Sequence, residues 1–144
     1  MLGFVMERLA ERVPELRGRL YAAADLQAIL SGAATAPQGV SAHVLPAGLS
    51  ARGGESAAGL FTQIVDEVVS VLVVYRHAGA AGERAAPEIR DMRMRIIAAL
   101  AGSAPEDIAG DFVFRAARLQ PPLQGGTLLD QIDFSIQDQL RITP

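Results

Sequence analysis

The chain of 144 residues contains no cysteine, no tryptophan, no lysine and no asparagine. Without cysteine there is no disulfide framework, no thiolate nucleophile and no cysteine-ligated zinc. Without lysine the glycine-rich stretch Gly53-Gly54-Glu55-Ser56 cannot be a phosphate-gripping loop, which needs a Gly-Lys-Ser/Thr ending. All 13 basic residues are arginine. With abundant alanine, that bias fits a GC-rich coding genome and points to no activity. Long apolar runs are also missing. The greasiest stretch, 68–75, includes Ser70 and falls far short of the roughly 18 residues of a membrane helix. The apolar start, Met1 to Met6, has no basic flank and meets Glu7 at once, so no export signal is read there. These features predict a soluble protein that folds in the cytoplasm and has no membrane partner. A net charge of −3 argues against a whole-molecule electrostatic grip on nucleic acid.

What is present is a core-forming composition, 50% apolar and 20% charged, which excludes a disordered chain. A domain near this size buries roughly 70% of its extended-chain surface. Leu2, Val5, Met6 and Leu9 recur at helical spacing with Glu7, Arg8, Glu11 and Arg12 on the other side, and Pro14 stops that helix or forces a bend. Segment 16–23 is ambiguous and reads as a short strand leading into a short helix, with Asp25 as its cap and Gly32 as its end. Val40, Ala42 and Val44 alternate with Ser41 and His43 as in a half-buried strand, which Pro46 closes or places at an edge. Residues 46–59, rich in glycine, serine and alanine, are expected to be a long flexible loop.

Segment 60–76 is rich in valine and reads as a strand so long that part of it must bend or project from the core. Ile89, Met92, Ile96 and Leu100 place a helix over 83–101, with Pro87 near its start and Gly102 as its stop. Ser103 and Glu106 suggest a short helical turn. Segment 111–119 reads as a strand. Ile132, Phe134, Ile136, Leu140 and Ile142 alternate with Asp133, Ser135, Gln137, Gln139 and Arg141, so the last two strands should pair as a hairpin with a long connection. The expected fold is a single α+β domain over 1–144, with a mostly antiparallel sheet and two main helices packed on one face.

The search for chemistry yields no catalytic, cofactor-binding or metal-binding set. No Gly-x-Ser-x-Gly occurs. His43 and His77 lie at no ligand spacing, and His43 falls on the polar half of its strand, so its imidazole is expected to face solvent or a partner. Asp130 and Asp133 are three apart and diverge on a strand, as do the adjacent Asp66 and Glu67. Glu106 and Asp107 read as helix-start charges, and Arg90, Arg93 and Arg95 as the solvated face of their helix. Glu67 and Asp138 share strand faces with apolar residues. Each must therefore be paired, sit where a strand projects into water, or touch another chain.

The order of segments resembles the tail terminator proteins of long-tailed bacteriophages, in particular the Mu-like group. The resemblance rests on the N-terminal helix, the 16–24 stretch, the strand ending Ala42-His43-Val44-Leu45-Pro46 and the glycine-rich segment to Gly59. It continues through Gln63-Ile64-Val65-Asp66-Glu67 feeding the 68–75 strand, the 88–100 helix, and the closing strand from Asp130 to Phe134. It covers the chain from about Met1 to Ile142. Family members often carry tryptophan near the last strand and after the long helix, and this chain has none.

The resemblance implies a hexameric ring that caps the head-proximal end of the tail tube in the virion. Such a ring halts tube polymerisation and offers a surface to the neck and head-completion proteins. DNA passes through it without specific binding, no reaction is catalysed and no cofactor is used. Candidate contacts with neighbouring subunits or the tube are Arg52, Glu55, Glu67, Arg76, Arg115, Arg118, Asp133, Asp138 and Arg141. Other readings are another head-tail connector or completion protein, a bacterial adaptor domain, and a small enzyme whose carboxylates would converge from Asp66, Glu67, Asp130 or Asp138.

Overall fold

The computed structural model describes residues 1–77, 82–123 and 126–144, with the side chains of 82–85 undescribed. In chain order the elements are α1 (Leu2–Arg12), β1 (Leu20–Tyr21), α2 (Ala23–Leu30), β2 (Gly39–Ala57), β3 (Leu60–Arg76), α3 (Gly82–Leu100), β4 (Val113–Leu119) and β5 (Thr127–Ile142). The strands form one sheet in the order β1-β2-β3-β5-β4. Only β1 runs parallel to its neighbour; the other pairs are antiparallel.

Side-chain alternation along β3 explains how the sheet is covered. Val69, Val71, Val73 and Tyr75 join Val5 and Leu9 of α1, Ile89, Met92, Ile96 and Leu100 of α3, and Ile132, Phe134 and Ile136 of β5 in one buried cluster. Leu72 and Val74 point the other way and meet Leu26 of α2, Ala36 and Leu129. Complete burial of such a side chain contributes about 1.5–3 kcal/mol. α1 and α3, the two main helices, thus share one face, while the expected short helix α2 covers the other face over a second cluster. Arg8 Nε donates to Ala99 O at 2.5 Å and fastens α1 to α3. Arg95 adds a two-pronged pair with Glu15 at 2.7 and 2.6 Å, which holds the Glu15 carboxyl below its usual range.

Several local expectations change. The segment 46–59 is not a loop. β2 runs through it to Ala57 and pairs with β3 down to Ala57↔Leu60. A bulge between Pro46 and Gly48 absorbs the proline, and a second separates Arg52 from Glu55. At the second bulge Gly53 and Gly54 take φ of 64° and 141°, which side-chain-bearing residues resist. The hairpin closes through Ala58 and Gly59, both at positive φ, the backbone of a tight two-residue turn. Small residues concealed this strand because backbone pairing with β3, not side-chain burial, holds it.

Asp25 lies in the first turn of α2, whose N-cap is Ala22 and has no side-chain cap bond. Pro87 falls inside α3, not near its start. Ser103 does not cap a helical turn; its hydroxyl donates to Leu100 O at 2.6 Å. The hairpin of β4 and β5 forms as expected.

Candidate functional site

The lower half of the β2–β3 hairpin, with the end of β5, extends past the helices as a three-stranded ribbon. Leu49 is 65% exposed there and Ile142 48%, and Leu60, Ile64 and Leu140 are also exposed. On the face continuous with α1 and α3 lie Leu49, Val65, Glu67, Asp138 and Leu140; the other face carries Ser50, Arg52, Glu55, Ile64 and Asp66. Isolated exposed leucines are ordinary, but this many on one projecting ribbon make a surface suited to a partner.

The structure sorts the candidate contact residues. Arg52 pairs with Asp66 at 2.6 Å. Arg76 donates to Ala36 O at 2.8 Å, beside a depression of about 520 Å³ at the end of α2. Asp133 accepts from Ser70 Oγ at 2.5 Å and from Gln131 Nε2. Arg115 donates to Ser135 Oγ, and Arg141 to Gln139 Oε1. Glu55, Glu67, Asp138 and Arg118 make no ion pair or side-chain hydrogen bond with a described residue.

The carboxylates proposed for an enzyme separate. Asp66 binds Arg52 on one face, and Asp130 is fully buried against Arg93. Glu67, Asp138 and Asp130 share the α1 and α3 face, but only Glu67 and Asp138 are diagonal neighbours across β3 and β5; Asp130 pairs with Val73, further up the sheet. Among the described residues no group of His, Asp and Glu could hold a metal ion.

Two expectations about single residues are overturned. Arg93 is not merely part of a solvated face. It reaches under α3 to Asp130 with Nε–Oδ2 at 2.6 Å and Nη2–Oδ1 at 2.5 Å, which pushes its own pKa further up. His43 faces neither solvent nor a partner. It is fully buried on the α2 side of the sheet, its ring 5.4 Å from Tyr21 and its Nδ1 3.3 Å from Ala22 O. The sequence shows a polar alternation at His43 but not the arrival of α2 and residues 34–37 over that face.

Nε2 of His43 is buried with no hydrogen-bond partner. Burial lowers the imidazole pKa, opposed by the Ala22 carbonyl and by Asp25. The unfolded chain therefore takes up the proton first as pH falls through about 6.5, and stability drops from there toward the folded-state value. For one proton the slope is at most about 1.4 kcal/mol per pH unit. Denaturant unfolding between pH 7.5 and 5 should show this loss, and His43→Leu should flatten it. An unchanged profile in that variant would assign the loss to other groups.

A protein-family model described as phage tail terminator protein matches residues 2–144, essentially the whole chain. The chain belongs to the phage tail terminator family. The match spans the helices, the central sheet and the projecting ribbon alike, so the ribbon lies within the family's domain. The family is structural and non-enzymatic, and places the protein in the virion tail, in association with other tail proteins. A search of curated proteins finds no match. Among the described residues no helix is long and apolar enough to cross a membrane.

Proposed function

We propose that this protein assembles as a hexameric ring at the head-proximal end of the tail tube, where it ends tube polymerisation and presents the surface to which neck proteins join. One observation carries the reading: the sheet has unpaired backbone edges on opposite sides. Among the described residues the outer edge of β4 has no partner strand, and β1 covers only Ala42 and His43 of β2. An unpaired edge is a template for another chain. Two different edges on opposite sides favour head-to-tail contacts, which close into rings when the rotation allows. The exposed apolar residues of the ribbon suit a contact with the tube end, and the net charge of −3 suits DNA that passes without being held.

Light scattering and electron microscopy of the purified protein, alone and with tail tubes, test this. A particle of about six 15.2 kDa chains, seated at one end of the tube, is expected. A strict monomer both alone and with tubes, or decoration along tube walls, would overturn it.

A further inference from the structure

We infer that β4 of one subunit adds onto the outer edge of β2 of the next, on the stretch 48–52 between its two bulges, so that the sheet continues from subunit to subunit. This rests on the ring reading and names the contact that would close it.

Strand direction supports the pairing. β2, β3, β5 and β4 alternate in direction, so β4 runs opposite to β2. A copy carried round by rotation, with its sheet faces kept, therefore meets β4 with an antiparallel edge, the somewhat more stable ladder. The stretch 48–52 lies between the register shifts at Pro46/Gly48 and Arg52/Glu55 and carries neither proline nor a β1 partner. Within the stretch Arg52 is the one charged residue, and it is paired with Asp66, so the backbone from Gly48 to Ala51 stays open for pairing.

The faces also correspond. On the α1 and α3 side β4 carries Phe114, Ala117 and Leu119, the last 47% exposed. The same side of 48–52 carries exposed Leu49, beside Ala51. On the other side β4 presents Arg115 and Arg118, while 48–52 carries Ser50 and Arg52, the latter neutralised by Asp66 of β3, with Glu55 just beyond. Charge is sorted in the same sense. β4 has two arginines and no acid, whereas the ribbon has Glu55, Asp66, Glu67 and Asp138 against Arg52 and Arg141. Opposite charges at the two ends favour a head-to-tail encounter and disfavour like edges meeting.

Because the chain has no cysteine, introduced pairs report contacts without background. Arg118→Cys would be combined in turn with Ser50→Cys, Arg52→Cys and Glu55→Cys, which share its face, and with Leu49→Cys and Ala51→Cys, which do not. Each assembled protein would be oxidised with diamide and run on a non-reducing gel. A disulfide needs Cα atoms about 4.4–6.8 Å apart, so a same-face partner in register is expected to give a ladder of covalent multimers. Pairs with the opposite-face positions, and each single-cysteine variant, should not produce it.

A protein that assembles in light scattering yet gives no ladder from any same-face pair overturns this contact and leaves the ring reading standing. A protein that does not assemble, alone or on tubes, overturns both. A ladder that survives without Arg118→Cys also overturns the contact.

Discussion

Replacing Arg93 with alanine is expected to lower the unfolding free energy by about 3–5 kcal/mol, the range for stranding one partner of a buried ion pair. The asymmetry of the pair sets this value. Asp130 is completely buried, whereas the Arg93 side chain retains 29% exposure. Without Arg93 the carboxylate stays in the core with its two charge-assisted hydrogen bonds gone. Without Asp130 the guanidinium can turn outward into water, so Asp130→Asn should cost less. Replacing both by apolar residues, Arg93→Met with Asp130→Leu, should recover much of the loss, since a packed apolar pair needs no desolvation of charge. Chemical denaturation of the three variants measures the order. Asp130→Asn proving more damaging than Arg93→Ala would refute the account. Because Asp130 sits opposite Leu119 in register, the pair also anchors α3 beside the strand inferred to meet the next subunit.

The second large effect is expected at Gly110. Its N–H donates to Gln137 O at 3.1 Å, which ties the segment before β4 to the outer edge of β5. A Cβ added there would lie 2.5 Å from Gln137 O and 3.2 Å from Gln137 N. Both are backbone atoms of a paired strand and cannot swing aside. Gly110→Ala must therefore push the segment off β5 and break the hydrogen bond, a cost of about 3 kcal/mol at the upper end of ordinary overpacking. Gly3 in α1 supplies the contrast, because an added Cβ meets nothing within 4 Å. Gly3→Ala should stabilise by about 0.5–1 kcal/mol, since alanine loses less backbone freedom in a helix. Thermal or urea unfolding of the pair would separate the two outcomes. A neutral Gly110→Ala would mean that the 103–112 segment moves freely against β5.

Legibility of the fold varied with the kind of force holding each element. α1, α3, β3 and β5 could be read because each buries a regular apolar stripe, and such a stripe is periodic in the sequence. The far half of β2 could not, because almost all of it is exposed and its partner is the backbone of β3. Among the carboxylates, parity along β3 and β5 correctly separated Asp66 from Glu67 and Asp130 from Asp133. Parity could not show that Arg52 would find Asp66 across the hairpin, or that Asp133 would bind Ser70. Those pairs depend on register between strands, which local composition does not specify.

The sequence by itself determined the α+β class, the amphipathic helices, the apolar face of the last strand and the absence of thiol, lysine and phosphate-loop chemistry. Its resemblance to tail terminators agrees with the family match over residues 2–144. These properties are local or compositional. Tertiary structure alone decided that α2 buries His43, that Arg93 rather than solvent holds Asp130, and that the glycine-rich segment is a strand with an open edge. Each of these depends on which distant segment arrives beside a residue, and hydrophobic periodicity reports only that a face will be covered, not by what.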